Sequence, residues 1–351
     1  MRKILISAAL SVTVAMLVGC AGSPSSTTEP PASQPSFGDA TPAAPTLLPG
    51  STPLPWLADV LALQTPGQEL AGKSADIAVA ADGTLFLADT KHHRIVHLDR
   101  QGGLLNQWGS FSGSDQGQAA PTATFNEPWG IGLDSEGTIY IADTWNHRIQ
   151  AFTLDGEYLR SWGQFGQGAD PTDLYGPRDV AVGADGLVYV SDTGNKRIVV
   201  YTPQGEYVNQ VGGEGSQLGQ FIEPVGIAFS QDGRLFVADE GNRRVQVLLV
   251  GEEGSMEPAV AWPVDAWPHN DMLYKPYLCV VGDRVFLTDT EAGSVLEYTT
   301  SGEFKTKYDL NSTGVLNYGL VYGIASQADG TLWVSDLAGG APVLVKILPA
   351  Q

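Results

Sequence analysis

Leu85–Asp89 reads Leu-Phe-Leu-Ala-Asp, and the chain returns to that phrase five times. The later copies are Ile139–Asp143 (Ile-Tyr-Ile-Ala-Asp), Val188–Asp192 (Val-Tyr-Val-Ser-Asp), Leu235–Asp239 (Leu-Phe-Val-Ala-Asp), Val285–Asp289 (Val-Phe-Leu-Thr-Asp) and Leu332–Asp336 (Leu-Trp-Val-Ser-Asp). Their terminal aspartates are 54, 49, 47, 50 and 47 residues apart. A period in that range marks a repeat architecture. The phrase is built from aromatic, β-branched and other apolar residues that fit a buried pleated surface, so it predicts a strand.

Seven residues before the aspartate stands an acidic-Gly turn: Asp82-Gly83, Glu136-Gly137, Asp185-Gly186, Asp232-Gly233 and Asp329-Gly330. Unit five has a shortened Gly282-Asp283 instead. Such a turn between two apolar runs predicts a hairpin, because Gly accepts the positive φ it demands. A further strand precedes each turn, and two follow the aspartate, as in His93–Leu98 and Glu157–Trp162. Four antiparallel strands per unit, in six units from about residue 70 onward, predict an all-β, six-bladed β-propeller. Unit six lacks a fourth strand after Pro342–Leu348. The orphan apolar segment Trp56–Leu63 is expected to supply it and close the ring, which removes an open sheet edge. The alternative is that this segment packs against one face.

The recurring order is a proline-led strand, an acidic-Gly turn, three apolar residues, Ala/Ser-Asp, then Asn-x-Arg-Ile/Val. It stands at Pro128–Ile149, Pro177–Ile198 and Pro224–Val245 and resembles the NHL repeat. Unit one keeps Asp89 and Arg94, whereas units five and six have Ser294 and Ala341 in place of the arginine. The resemblance implies a six-bladed propeller and a mixed set of functions, including lyases, protein-binding and RNA-binding modules. Fold alone therefore does not select one.

Residues 1–19 are expected to be a lipoprotein signal peptide: Arg2 and Lys3, then the apolar Ile4–Val18, then Leu17-Val18-Gly19-Cys20, which resembles a bacterial lipobox. The apolar run is short for a membrane span. Cys20 is the expected lipidation site. Residues 20–55, rich in Ser, Thr and Pro, form a disordered tether, and residues 56–351 form the propeller. Cys279, in the apolar run Leu278–Val281, is expected to be an inert buried thiol. The chain carries 39 acidic against 19 basic side chains, a formal charge of −20, and loss of Arg2 and Lys3 makes it more negative still. Such a field opposes nucleic acid, whose binding rests on phosphate neutralisation.

Length varies most on the face that carries the connections between blades: Gly109–Glu127, Gly163–Gly176 and Gly251–Lys275. Loops on a rigid scaffold are where binding usually resides. Read in register, Ala75, Trp129, Arg178, Val225, Tyr277 and Tyr322 ring the channel mouth, with Asp76 and Asp179 one step inward. Asp76, Trp129, Arg178, Asp179, Tyr277 and Tyr322 are the candidate ligand-binding residues. The alternative has the aromatics packed under the loops and Arg178 paired with Asp179 or Asp76. Asp89, Asp143, Asp192, Asp239, Asp289 and Asp336 are read as structural, since an element needed once per blade repeats one structural task; Arg94, Arg148, Arg197 and Arg244 could pair with them.

His93 and His147 share a repeat position, but two ligands do not make a zinc site, and His269 stands apart in Pro268-His269-Asn270-Asp271. The amidating lyases of peptidyl-hydroxyglycine resemble this chain as propellers that hold zinc on channel histidines. Here no His follows Pro128, Pro177, Pro224 or Pro276. No catalytic residue is named and no cofactor is required, although channel calcium or zinc is compatible with the fold. The expectation is an extracytoplasmic, lipid-anchored module. It would bind a protein, peptide or small molecule at its loop-rich face, meet the membrane only through its anchor, and bind no nucleic acid. The alternatives are a metal-dependent propeller enzyme of lyase or lactonase type with a channel-mouth site, and a structural scaffold of an envelope complex.

Overall fold

The structure is a computed structural model that describes residues 55–65, 68–69, 74–113, 119–168, 170–267, 275–313, 320–338 and 341–349. The expected signal 1–19, Cys20, the tether up to residue 54 and His269 lie outside these residues.

Six four-stranded antiparallel sheets follow one another along the chain. Blade two shows the plan, with Pro128–Leu133 innermost, then Thr138–Asp143, Arg148–Thr153 and the outer Tyr158–Trp162. The first hairpin turns at Gly137, whose φ of 87° would strain any side-chain-bearing residue. Inner strands of successive blades pack side by side, and that of blade six packs on that of blade one. The core between blades is apolar, as in the cluster of Ile131, Ile139, Ile141 and Phe152 with Phe86 and Phe125 of the preceding blade and loop.

Leu57–Ala62 closes the ring as the outer strand of blade six. It pairs antiparallel with Ala341–Ile347, Val60 opposite Val345, and the seal continues in a hydrogen bond from the Leu63 amide to the Pro342 carbonyl (3.0 Å). Val60 and Leu63 are buried. Apolar residues upstream of unit one thus complete a sheet begun at the other end of the ring.

One loop assignment is corrected. Gly251–Lys275 is not a single connection, because Met256–Pro263 is the outer strand of blade four and pairs with Arg244–Val250. Two prolines and an exposed, weakly alternating pattern disguise it as a loop. The register shift between Val247 and Leu248 recurs at the same place in blades one, two, three and five, which marks the segment as an outer strand of the same kind. The overlooked signal is Trp262, which repeats Trp108 and Trp162: each of these indoles lies against the turn glycine of the following blade, Gly302, Gly156 and Gly205 respectively.

Candidate functional site

The six aspartates are buried, between 0 and 3% exposed. In blade two, Asp143 accepts the Asn126 amide (2.7 Å), Asn146 Nδ2 (2.9 Å), Arg148 Nε (2.8 Å) and Gln150 Nε2 (3.1 Å). Arg148 then donates to the carbonyls of Ala120, Pro121 and Thr124. Asp192–Arg197 and Asp239–Arg244 repeat this clasp on the next two connecting loops. The clasp pins a loop whose backbone would otherwise be free to move. In blade five Ser294 Oγ takes the arginine's place at 3.2 Å. In blade six Asp336 has no ionic partner among the described residues, and burial pushes its carboxyl up to about 7, opposed only by the Leu320 backbone.

Around the channel axis the inner strands present Asp76, Gly130, Asp179, Gly226, Leu278 and Gly323 in blade order. Gly130 explains how the two carboxylates of blades one and three meet: a Cβ there would lie 2.7 Å from Asp179 Oδ1. Asp76 Oδ2 accepts the Ile131 amide (3.0 Å), and Asp179 accepts those of Ile227 (2.7 Å) and Val180 (2.7 Å). Burial raises both carboxyls, Asp179 to about 7 and Asp76 well above its ordinary value, which the neighbouring Asp179 charge raises further. The charge of Asp179 opposes ionisation of Asp76, and the backbone partners of the two carboxyls tie four blades together. Toward the Asp-Gly face the pair floors a cavity of about 300 Å³ whose walls include Ile131, Phe229, Cys279 and Ser326. Burial pushes the Cys279 thiol up to about 12, so it is inert at neutral pH.

A carboxylate whose folded pKa is raised stabilises the fold fully below its unfolded pKa and loses that contribution as pH rises through the folded value. For Asp179 the interval runs from the ordinary 3.8 to about 7, worth roughly 4 kcal/mol between its limits. Stability is therefore expected to fall from pH 4 to pH 8. Asp179→Asn should flatten that decline, as read by thermal melts of both proteins across the range. Parallel profiles would refute the raised carboxyl of Asp179.

On the loop-rich face, Arg178 pairs with neither Asp76 nor Asp179. Its guanidinium lies 3.9 Å from the Trp129 ring centroid and 5.3 Å from that of Trp145. Glu127 Oε2 accepts both indole N–H groups, from Trp129 at 3.3 Å and Trp145 at 3.0 Å, and so fixes the two rings that hold the arginine. The Tyr277 hydroxyl donates to the Arg178 carbonyl (2.9 Å). Trp129, Arg178, Tyr277 and Tyr322 are all under 9% exposed. Arg178 Nη1 is buried and meets no acceptor among the described residues, a deficit that ordinarily costs about 1–3 kcal/mol or more for a charged group. Burial pulls Arg178 below the usual guanidinium range, against the opposing influence of Tyr277, Glu223 and Glu127. Beside it Lys275 Nζ is bridged to Glu223 (2.7 Å) and Glu240 (3.1 Å), and burial pushes Glu240 up to about 8.

Farther out, His93 packs at a tilt against Phe111 and His147 against Phe165, each pair with centroids 4.8 Å apart. Each imidazole Nδ1 accepts a backbone amide, from Glu127 (3.0 Å) and Gly176 (3.1 Å). These rings buttress the loops and do not converge, and among the described residues no three His, Cys, Asp or Glu side chains gather as metal ligands. Blade three has Lys196 and Glu214, 3.8 Å apart, in place of the ring pair. Phe111 and Phe165 are 64% and 59% exposed, and Trp145 is 38% exposed, so exposed aromatics stand on blade two and on the loops on either side of it.

Register reading found Trp129 and Arg178 but missed Glu127, Trp145, Glu223, Glu240 and Lys275. Glu127, Glu223 and Lys275 each stand directly before the inner-strand proline. Trp145 and Glu240 lie in the short turn after the repeated aspartate. Both are fixed repeat positions with changing residue types, which is the signal that could have located them.

Three NHL repeats are recognised, at residues 125–152, 174–201 and 221–248. NHL repeat-containing protein 2 of Gallus gallus is 32% identical over 106 residues, 30% of this chain but 14% of that protein. The matched segment is thus a small part of that relative. Among solved structures, a gluconolactonase from Xanthomonas campestris superposes with a TM-score of 0.57 at 16% identity, covering 84% of this chain and 91% of that one. A chain of a nidogen/laminin complex gives 0.52 at 19% identity, covering 73% and 85%. At these identities the likenesses show the fold alone.

Proposed function

We propose that this propeller is a binding module, held to a membrane outside the cytoplasm by lipid on Cys20, that engages a ligand or protein partner through its loop-rich face. The observation that carries the reading is the row of exposed aromatics, Phe111, Trp145 and Phe165, each supported from below by His93, Arg178 or His147. Loops clasped by buried Asp–Arg pairs give a rigid platform on which exposed apolar side chains contact a partner with little ordering cost. The pattern Leu17-Val18-Gly19-Cys20 supports the anchor, and the acid-rich composition weighs against nucleic acid.

The enzyme reading draws on the Asp76–Asp179 pair and the cavity it floors, and on a fold shared with a gluconolactonase. One set of measurements separates the two. Cys20→Ser is expected to move the protein from the membrane to the soluble fraction. Phe111→Ser with Phe165→Ser is expected to reduce, at least tenfold, the partner cross-linked to the full chain in intact envelopes. Unchanged cross-linking removes the loop face as the binding surface. Turnover of a lactone panel that Asp179→Asn abolishes would replace the binding module with an enzyme.

A further inference from the structure

We infer that the channel mouth takes a singly charged carboxylate, received by Arg178 between Trp129 and Trp145. This deepens the binding reading and rests on it. The guanidinium carbon lies over the Trp129 ring at 3.9 Å and 5.3 Å from the centroid of Trp145, while the buried Nη1 has no acceptor among the described residues. Stacking satisfies the faces of a guanidinium and leaves its in-plane N–H donors for an acceptor of matching geometry, and a carboxylate offers two oxygens in one plane.

The surroundings select the charge of that acceptor. Glu127 and Glu223 are the acidic groups that act on Arg178, and a second cation, Lys275, is already bridged by Glu223 and Glu240. A guanidinium with no ion pair among the described residues, beside the carboxylates of Glu127 and Glu223 in a chain of net charge −20, takes a monoanion more readily than a phosphate dianion. Trp145, partly exposed and fixed through its Nε1 to Glu127 (3.0 Å), offers a flat apolar surface to the body of the ligand next to its carboxylate.

Calorimetric titration of the full chain with sodium benzoate tests this, with benzamide as the uncharged counterpart and inorganic phosphate as the more highly charged anion. Benzoate is expected to saturate a single site, benzamide to bind at least tenfold more weakly, and phosphate to give no saturable heat. Arg178→Gln should weaken benzoate at least tenfold. If that variant melts early, Arg178→Lys, which keeps the charge but not the planar fork, should still lose several-fold. Absence of benzoate binding to the wild type, equal binding by both variants, or phosphate binding as tightly as benzoate overturns the assignment. Each result is independent of cross-linking through Phe111 and Phe165, so the carboxylate site can fail while the loop-face reading stands.

Discussion

A chain lacking residues 57–63 is expected to melt at least ~10 °C below the intact protein and to elute as mixed oligomers. Leu57–Ala62 contributes a whole outer strand to blade six. With Val60 and Leu63 buried and Leu57 and Leu61 partly so, its removal forfeits on the order of 4–8 kcal/mol of apolar burial. At a few degrees per kcal/mol for a domain of this size, that is a large drop. The second consequence is kinetic and colloidal. Ala341–Ile347 becomes an edge with unpaired amides and carbonyls beside the apolar Val343, Val345 and Ile347, a template for pairing with another chain. Thermal melts and size exclusion with light scattering read both effects. An unshifted melting point with a monomeric profile would mean that the strand merely covers the ring.

The same substitution at two equivalent aspartates is expected to have opposite signs. Asp143→Asn places an amide among the donors of Arg148, Asn146 and Gln150 and leaves Arg148 buried beside a neutral group. Breaking such a buried pair costs about 3–5 kcal/mol, so the melting temperature should fall by roughly 10 °C. Asp336→Asn removes a charge that has no ionic partner among the described residues and a carboxyl pushed up to about 7. It should stabilise by about 1–3 kcal/mol at pH 8, where the wild-type group is ionised, and have little effect at pH 5, where it already carries a proton. Chemical denaturation at the two pH values decides the matter. A loss of stability at position 336 that equals the loss at 143 would show that all six aspartates are held alike.

The fold was largely legible because its determinants are local and repeated. The aspartate phrase and the acidic-Gly turn set strand, hairpin and blade count, and the orphan segment Trp56–Leu63 had to pair somewhere. Met256–Pro263 escaped because an outer strand packs on one side only, so its apolar alternation is weak and two prolines mask it. The candidate site was legible in position but not in pairing. Repeat register placed Trp129 and Arg178 at the mouth. That Lys275 of one loop would bridge Glu223 and Glu240 of the preceding blade depends on how neighbouring blades sit together, which a linear repeat does not encode. The meeting of Asp76 with Asp179 likewise needs the small Gly130 between them, a relation that exists only once three blades are side by side.

The closure of blade six also has a consequence for the order of folding. Leu57–Ala62 is the first to reach the compartment in which the chain folds, and its partner Ala341–Ile347 follows close to 280 residues later. During that interval blades one to five can assemble in order, while the earliest strand has nothing to pair with. Completion of the ring is therefore a late, all-or-none event. A product that stops short of Ala341 would carry an unfinished blade with two exposed apolar margins, a mark by which quality control could distinguish it from a finished chain.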